Sequence, residues 1–474
     1  MIDLKEIKRI HFTGIKGVGM TALACVAKDF GMKVTGSDVA ERFVTDETLR
    51  KKGISVRVGF TKENMVSLKP DLVVYGAAHQ GEGNPEVAAA ATLDIPTLTL
   101  GETLGLFYNT KKGISVAGVG GKSTTTAMLA TILEQADKHP SYMVGAGKIS
   151  ALAYPGKYDH RGNWFVAEAD EYVCSPRNQH PKFYYQQPTM IVLPSLAYDH
   201  PDIYQSPEET LKVFKIFVEK LPQDGVLIVN LDSEMINKLL KVARVKAKLI
   251  TYGETQGEWR LQDYQAQKET IHFKLTHGQS SRPFAISVPG KINGLNATGA
   301  ILASEFMGLP DEEIQAGLLE FTGVERRFEK IAQVGTTLLY DDYAHHPQEI
   351  QATLSIAKER LTNKKILVIF QPHTYSRTKA LLSEFAQSFK DADEVLVTNI
   401  FASARESDSL GITGQILAER VRLYHPQVTF CADESAVLAY LAAKDLADTA
   451  IFTLGAGDIF LWHERIMALI KEKA

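Results

Sequence analysis

Short apolar runs alternate along this chain with longer stretches in which apolar residues recur at helical spacing. Residues 10–13, 72–74 and 114–117 are short enough to be buried strands, whereas residues 20–30 and 124–136 have helical periodicity. Strands that alternate with helices favour βαβ units and parallel sheets. The pattern therefore predicts an α/β fold.

Length and strand spacing divide the chain into three blocks. With 474 residues it is too long for one ordinary domain core of ~100–200 residues. The first block, residues 1–109, opens with a strand, a glycine loop and a helix. The second, residues 110–323, repeats that order, and the third, residues 324–474, holds further apolar runs followed by helix-like sequence. We expect three α/β domains with these boundaries.

Charge and composition exclude several classes of protein. The formal net charge is −4 and 45% of the residues are hydrophobic, which indicates neither a nucleic-acid-binding surface nor a disordered chain. Three cysteines without paired spacing argue against disulfides and thiolate metal sites. The N-terminus lacks a signal-peptide core, and no apolar run reaches the ~18 residues of a membrane span. We expect a cytoplasmic protein with no nucleic-acid or membrane partner.

The stretch VAGVGGKSTTT, at the start of the second block, ends a predicted strand in a glycine-rich loop. Such a loop turns tightly enough for its N–H groups to surround a phosphate, and a helix N-terminus follows it. The common motif has a glycine where this chain has Val116, so a plain turn with a solvated lysine stays open. We favour phosphate binding, with Mg²⁺ on a hydroxyl, by Gly118, Gly120, Gly121, Lys122, Ser123 and Thr124.

A second glycine loop follows the first predicted strand. Gly14, Gly17 and Gly19 form G-x-x-G-x-G, not the dinucleotide fingerprint G-x-G-x-x-G. A diphosphate could bind the helix N-terminus there, and Asp38 stands at the end of the next strand, where an acid commonly meets a ribose hydroxyl. A packed turn of an α/β sheet is the alternative.

Acids and histidines follow several later strands. Glu168 and Asp170 end one strand, and Asp199 and His200 follow the next, which is a plausible Mg²⁺ shell beside a phosphate loop. The third block has a further cluster, in which a capping or core role for His345 and His346 is the alternative. A guanidinium at the end of its next strand suits a carboxylate or a phosphate. The members of the cluster are Asp341, Asp342, His345, His346, His373 and Arg377.

Together these motifs resemble the ATP-dependent muramyl (Mur) peptide ligases, which extend the peptide of peptidoglycan precursors. The resemblance covers essentially the whole chain and rests on the order and spacing of GIKGVGM, TGSD, GVGGKSTTT, EADE, YDHPDIY, GKINGLNA, GVERRFE, DDYAHHP, FQPHTYSRT and GAGDI. It implies an N-terminal Rossmann-like domain for a UDP-sugar, a central P-loop ATPase-type α/β domain, and a C-terminal Rossmann-like domain that brings the amino acid. Within the family, the pattern is most similar to members that attach L-alanine to UDP-N-acetylmuramate through an acyl phosphate, using ATP and Mg²⁺. We expect a monomer or a weak homodimer.

The resemblance also implies roles for individual residues. The catalytic residues would be Lys122, Glu168, His200, His345, His346 and Arg377. The ATP-binding residues would be Gly118, Gly120, Gly121, Lys122, Ser123, Thr124, Asn293, Asn296, Arg327 and Asp342. The UDP-sugar would meet Gly14, Gly17, Gly19 and Asp38, and the metal would meet Ser123, Thr124, Glu168 and His200.

Several positions depart from the family pattern. Lys16 replaces a glycine, Thr374 an arginine, and Ile292 a histidine, while Val119 and Gly120 replace a threonine and a histidine in the phosphate loop. EADEY, YDHPDIY and DDYAHHP are closer to a recycling ligase that attaches an intact tripeptide, whereas GVGM, FQPHTYSRT and GAGDI favour the alanine-adding members. A folate polyglutamylating ligase and a nucleotide-sensing homologue without ligase activity are further alternatives.

Overall fold

Three sheets with flanking helices form the computed structural model, which describes residues 2–267, 270–403, 406 and 408–473. The chain divides into two compact units. The first contains Ser206–Val288, Asn293–Glu325 and the described residues up to Tyr198; the second contains Asp199–Gln205, Pro289–Ile292 and the described residues from Arg326 onward. The predicted α/β class is confirmed.

The first sheet is built by the N-terminal part of the chain. Its elements are β1 (Arg9–Thr13), α1 (Val18–Phe30), β2 (Lys33–Asp38), α2 (Asp46–Lys51), β3 (Ser55–Val58), α3 (Lys62–Leu68), β4 (Leu72–Tyr75), α4 (Pro85–Thr92), β5 (Thr97–Thr99) and α5 (Leu100–Tyr108). The strand order is β3-β2-β1-β4-β5, and every pair is parallel. This is the topology of a Rossmann-like half, with β1 at its centre.

The second sheet is longer and mixed. Its elements are β6 (Lys112–Ala117), α6 (Lys122–Gln135), β7 (Ser141–Met143), β8 (Gly156–Lys157), β9 (Trp164–Ala169), β10 (Pro188–Leu193), α7 (Pro207–Val218), β11 (Val226–Asn230), α8 (Glu234–Val242), β12 (Lys248–Gly253), β13 (Trp259–Gln267), β14 (Thr270–His277), β15 (Ser280–Ile286), α9 (Lys291–Phe306) and α10 (Asp311–Glu320). The order is β15-β14-β13-β12-β11-β10-β6-β9-β7-β8. The sequence pattern predicts only parallel units here, but β13 to β15 pair antiparallel because two of their links are too short for a crossover helix.

The third sheet lies in the second compact unit. Its elements are β16 (Glu329–Val334), β17 (Thr337–Asp342), α11 (Pro347–Arg360), β18 (Lys365–Phe370), α12 (Tyr375–Ala380), α13 (Leu382–Ala386), β19 (Glu394–Val397), α14 (Gly414–Val421), β20 (Val428–Phe430), α15 (Glu434–Ala442), β21 (Thr449–Leu454) and α16 (His463–Lys473). The order is β16-β17-β21-β18-β19-β20, and only the edge strand β16 pairs antiparallel. Short 3₁₀ turns cover Gly81–Gly83, Lys182–Tyr185 and Ile459–Trp462.

The apolar runs of the sequence account for the buried strands. β1, β4 and β6 contain residues 10–13, 72–74 and 114–117, and α1 and α6 contain nearly all of residues 20–30 and 124–136. No helix among the described residues is long and apolar enough to cross a membrane. Cys25, Cys174 and Cys431 are free thiols, and all three are buried.

A buried polar network ties the first sheet together. Glu86, in the first turn of α4, is fully buried and accepts hydrogen bonds from Thr13 Oγ1 (2.9 Å), Asn64 Nδ2 (2.6 Å) and the hydroxyl of Ser37. His11 Nε2 lies 3.4 Å from the same carboxylate. Burial alone would raise the pKa of Glu86, but the hydrogen bonds from His11 and Ser37 outweigh it and lower the pKa. The ionised carboxylate therefore holds the ends of β1 and β2 beside α3 and α4.

We predict that Glu86→Ala lowers the free energy of unfolding by about 3 kcal/mol, because several buried donors lose their acceptor. Glu63→Ala, at an exposed position of α3, is the matched control and should change it by about 0.5 kcal/mol or less. Urea unfolding of both variants measures the difference. Equal midpoints for the two variants would show that the network contributes nothing to stability.

Candidate active site

The loop after β6 turns through residues in the left-handed region. Gly118, Gly120 and Gly121 have φ values of 119°, 80° and 80°, and α6 begins at the next residue, Lys122. A Cβ atom on Gly118 would lie 1.9 Å from the carbonyl oxygen of Ser195. Only glycine fits such a position, so the backbone itself lines the loop at the N-terminus of α6.

Ser195 holds this loop from the side. Its hydroxyl donates to the carbonyl oxygens of Gly120 (3.0 Å) and Val119, and its own carbonyl accepts from the Val119 N–H (3.2 Å). Asn230 Nδ2 in turn donates to the carbonyl of Pro194 (3.0 Å). The chain after β10 therefore fixes the glycine loop at the carboxyl end of β6.

Lys122, the first residue after the glycine loop, forms an ion pair with Glu171. Its Nζ lies 2.8 and 3.1 Å from the two carboxylate oxygens of Glu171, which is almost fully buried. Burial alone would lower the pKa of Lys122, but the carboxylates of Glu171 and Asp170 outweigh it and raise the pKa. The amine is therefore held charged at the start of α6.

The acids that follow β9 have different partners. Glu168 lies inside the last part of the strand, and its Oε1 accepts the Gly145 N–H at 2.5 Å. Asp170 follows the strand and accepts from Lys182 Nζ at 2.6 Å. Burial would raise the pKa of Asp170, but Lys182 and Lys122 outweigh it and lower the pKa. β6 and β9 are parallel neighbours, so the acids and the glycine loop meet at one edge of the sheet.

Two asparagines of α9 lie beside the same loop. A Cβ atom on Gly121 would be 2.5 Å from Asn296 Oδ1, and Asn296 Nδ2 donates to Asn293 Oδ1 at 3.2 Å. Residues three apart share one face of a helix. The structure therefore brings both predicted asparagines to the glycine loop.

The glycine loop after β1 is held by Asp38. Gly14 has a φ of 77° and donates its N–H to the Ser37 carbonyl at 2.9 Å. Asp38, buried at the end of β2, accepts the N–H groups of Lys16 (2.7 Å) and Val39 (2.8 Å). Asp38 Oδ2 therefore fastens the loop backbone at Lys16, while Oδ1 bonds the residue that follows Asp38 itself. The loop leads into α1, in whose first turn Gly19 lies.

The second compact unit contains a separate group of charged residues. Arg377 and Asp199 are buried, and Arg377 Nε donates to Asp199 Oδ1 at 2.7 Å. Burial alone would lower the pKa of Arg377, but Asp199 raises it. His200, next in sequence, has a φ of 57° and places its Nε2 3.7 Å from Asp199 Oδ2. The ion pair thus fixes the segment that contains His200 to α12.

The two histidines before α11 have different environments. His346 is the N-cap of α11 and accepts the Gln348 N–H at 3.3 Å, and Glu349 completes the capping box. The His345 Nδ1–H donates to the Tyr343 carbonyl at 2.9 Å. Burial lowers the pKa of His345 to about 4, although Glu349 acts in the opposite direction. His345 is therefore neutral at neutral pH, with its lone pair on Nε2.

Arg327 and Asp342 lie at the edge of this group. Asp342 accepts the N–H groups of Phe328 and Ala344, each at 2.8 Å, and burial raises its pKa to about 6 while Arg327 opposes the change. Arg327 Nη1 lies 3.5 Å from Glu349 Oε1. The carboxylate thus fixes the turn between β17 and α11.

Three models of known protein families match this chain, in the same order as its three sheets. The Mur ligase family catalytic domain matches residues 9–112, the Mur ligase middle domain residues 116–304, and the Mur ligase glutamate ligase domain residues 326–457. UDP-N-acetylmuramate–L-alanine ligase of Desulfitobacterium hafniense is 37% identical over 95% of this chain and 97% of its own length. The chain belongs to the Mur ligase family.

Other members of the Mur ligase family agree with this assignment. UDP-N-acetylmuramate–L-alanine ligase of Geotalea uraniireducens is 36% identical over 98% of this chain and 99% of its own length. The crystal structure of UDP-N-acetylmuramate-alanine ligase from Thermotoga maritima has a TM-score of 0.79 at 27% identity, over 99% of this chain and 100% of that one. A murein peptide ligase from Psychrobacter arcticus (TM-score 0.74, 23% identity, 98% and 99% covered) shares the fold.

Two departures of this Mur ligase from the family pattern have a structural account. Lys16 replaces a glycine at a position outside the left-handed region, and its Nζ donates to the carbonyls of Val39 (3.0 Å) and Glu41 (2.8 Å). Thr374 has a φ of 70°, which is strained for a β-branched residue, and its N–H donates to the Phe401 carbonyl at 2.9 Å. The backbone, not the side chain, is therefore what Thr374 contributes at the start of α12. Nothing in the structure explains Ile292.

Sequence reasoning missed four residues of these groups. Glu171 belongs to the acidic run EADEY and could have been found there, and Glu349 stands three residues after His346, which is the spacing of a capping box. Ser195 and Arg326 gave no local signal. Arg326 Nε donates to Asp341 Oδ2 at 2.8 Å, and its Nη2 donates to the Gly455 carbonyl at 2.7 Å. The second contact joins residues that are 129 positions apart in the sequence.

The pKa of Glu349 leads to a prediction on stability. Burial would raise it from the ordinary 4.5, but His345, which is charged only in the acidic range, and Arg327 outweigh burial and lower it to about 2. At pH 7 the carboxylate keeps Arg327 and the N–H groups of His345 and His346 as partners. An acid with a lowered pKa stabilises the fold above its unfolded pKa and loses this effect as the pH falls through the folded value. We predict that Glu349→Gln costs about 2 kcal/mol at pH 7, and that this cost shrinks as the pH falls from about 4.5 toward about 2.

Urea unfolding at pH 7, 5, 4 and 3 measures this cost. Glu384→Gln, at an exposed position of α13, is the control and should match the wild type at each pH. A cost for Glu349→Gln that stays constant between pH 7 and pH 3 would contradict the assignment of the ionised carboxylate.

Proposed function

We propose that this Mur ligase joins L-alanine to the lactyl carboxylate of UDP-N-acetylmuramate and converts ATP to ADP and phosphate. The observation that carries the proposal is the charged Lys122 behind three left-handed glycines at the start of α6. The curated relatives at 34–37% identity over nearly their whole length are named UDP-N-acetylmuramate–L-alanine ligases. The reaction would take place in the cytoplasm, in a monomer or a weak homodimer.

ATP fits the loop after β6. The N–H groups between Gly118 and Lys122 face the phosphates, and Lys122 exchanges Glu171 for the β- and γ-phosphates. Asn296 and Asn293 lie beside Gly121 and are proposed to meet the adenine. A MurF ligase from Thermotoga maritima was solved with ADP, and its 15% identity to this chain supports only a shared fold.

Mg²⁺ fits the donors at this edge of the sheet. Ser123 and Thr124 supply hydroxyls from the first turn of α6, and Glu168 supplies a carboxylate from the end of β9. All are hard oxygen donors, which Mg²⁺ prefers. When bound, the ion neutralises charge on the phosphates.

The proposed chemistry has two steps. A carboxylate oxygen of UDP-N-acetylmuramate attacks the γ-phosphorus of ATP, the bond to the β-phosphate oxygen breaks, and an acyl phosphate and ADP form. Lys122 stabilises the negative charge that spreads over the transferred group. The alanine amine then attacks the acyl carbon, and phosphate leaves with the oxygen that it took from the carboxylate, so that an amide remains.

The second compact unit supplies groups that suit the amine step. His345 is neutral, and its Nε2 lone pair can accept a hydrogen bond from the alanine amine and orient it for attack. The proton that the alanine ammonium loses before the attack goes to solvent. Arg377 is proposed to bind the alanine carboxylate or the acyl phosphate, because a guanidinium forms bidentate hydrogen bonds with both groups. His346 caps α11 and is proposed to act by fixing the position of His345.

Phosphate release with ATP, Mg²⁺ and UDP-N-acetylmuramate tests the proposal. L-Alanine, L-serine, glycine and L-Ala-γ-D-Glu-diaminopimelate are compared as nucleophiles, with mass spectrometry of the product. The proposal expects the highest kcat/KM with L-alanine. A preference for the tripeptide would assign the recycling reaction, which EADEY, YDHPDIY and DDYAHHP favour. Binding of the UDP-sugar without release of phosphate would indicate a sensor.

We predict that Lys122→Met lowers kcat/KM by about 10³-fold or more, because the transferred phosphate loses its charge partner. Lys138→Met, at a surface position beyond α6, is the matched control and should keep near-normal activity. A coupled assay of ADP release measures both, and circular dichroism checks the fold. Near-normal turnover by Lys122→Met would refute the phosphate-loop assignment.

A further inference from the structure

His79 lies at the topological switch point of the first sheet. In the order β3-β2-β1-β4-β5, the chain passes from β1 to β2 on one side and reaches β4 on the other. Ligands of open α/β sheets bind in the crevice outside the carboxyl ends of the two strands where the order reverses, here β1 and β4. The glycine loop that contains Gly14 forms one wall of that crevice, and the loop after β4, which contains His79, forms the other.

The ring of His79 covers the glycine loop. A Cβ atom on Gly14 would be 3.0 Å from His79 Cδ2 and 3.7 Å from its Nε2, so the polar edge of the ring faces the loop. The same Nε2 lies 3.6 Å from Asp38 Oδ1, which is longer than a hydrogen bond. Among the described residues the ring nitrogens form no hydrogen bond, and a quarter of the side chain is exposed. The Nε2 is thus available to a ligand on the loop.

The backbone that presents His79 is held in a rare conformation. His79, Gln80 and Gly81 have φ values of 53°, 71° and 54° in succession, although the first two carry side chains. Asn84 Nδ2 donates to the His79 carbonyl (3.1 Å), and the ring of Phe60 packs against the imidazole with centroids 4.8 Å apart. Strain of this kind persists only where surrounding contacts impose it, and it is concentrated at ligand sites.

We propose that His79 is a substrate-binding residue whose Nε2 donates a hydrogen bond to the diphosphate of the UDP-sugar bound over the Gly14 loop. This inference rests on the proposed function, because that function supplies the ligand. A diphosphate on the N-terminus of α1 lies within the crevice that the imidazole faces. Asp38 remains bonded to the Lys16 N–H of the loop. A diphosphate offers only acceptor oxygens, so the side chain that meets it has to donate.

Binding of UDP-N-acetylmuramate and of UDP to two variants tests the proposal by calorimetry. His79→Phe keeps a flat ring against Phe60 but removes the hydrogen-bond donor. It should lower the affinity for both ligands by about 10-fold or more. His79→Gln keeps an N–H donor at a similar distance and should stay within about three-fold of the wild type. The KM for ATP should not change in either variant. A general loss of folding would instead lower the apparent kcat and the fraction of protein that binds any ligand.

His139→Phe is the matched control, because His139 also has a left-handed backbone, with a φ of 51°. It should bind both ligands as the wild type does. Wild-type affinity of His79→Phe would overturn the inference, and so would a loss confined to UDP-N-acetylmuramate with UDP unaffected, since the contact would then be to the sugar. Failure of the wild-type protein to bind UDP-N-acetylmuramate at all would instead contradict the proposed function.

Discussion

The buried ion pair between Lys122 and Glu171 is the interaction on which the proposed nucleotide site depends. Burial alone would lower the pKa of the lysine, and the neighbouring carboxylates reverse that effect. A charged amine is therefore present at the start of α6 before any phosphate arrives. In the proposed reaction the lysine exchanges Glu171 for a phosphate, and Glu171, whose pKa burial raises to about 7, can take up a proton when the lysine leaves it. The glycines around it bring backbone N–H groups to the same point.

Parallel pairing explains why residues far apart in sequence meet. β6 and β9 run side by side, with Val116 opposite Glu168, so the glycine loop after β6 and the acidic run leave the sheet at one edge. In the first sheet, β1, β2 and β4 deliver the Gly14 loop, Asp38 and His79 to one edge in the same way. Each candidate site is thus made by loops and residues at the carboxyl ends of strands.

Local patterns were sufficient to predict the parallel strands and the glycine loops, but not the antiparallel strands or the partners of the side chains. The strand, loop and helix around Gly118 and Lys122 follow from glycine spacing and periodicity, which are local properties. The pairing of Lys122 with Glu171, and of Arg377 with Asp199, spans 49 and 178 residues and depends on tertiary packing. β13 to β15 were missed because the βαβ pattern of the preceding chain does not announce a change to antiparallel pairing. The capping role of His346 stood among the alternatives, and the structure shows it at the start of α11.

Transfer of isotope from the substrate carboxylate tests the central claim most directly. UDP-N-acetylmuramate labelled with ¹⁸O in its lactyl carboxylate is turned over with ATP, Mg²⁺ and L-alanine, and the released phosphate is analysed by mass spectrometry. An acyl phosphate requires that one labelled oxygen leaves with each phosphate while the other stays in the amide. The account predicts one ¹⁸O atom in every phosphate. Unlabelled phosphate released together with the amide product would contradict it.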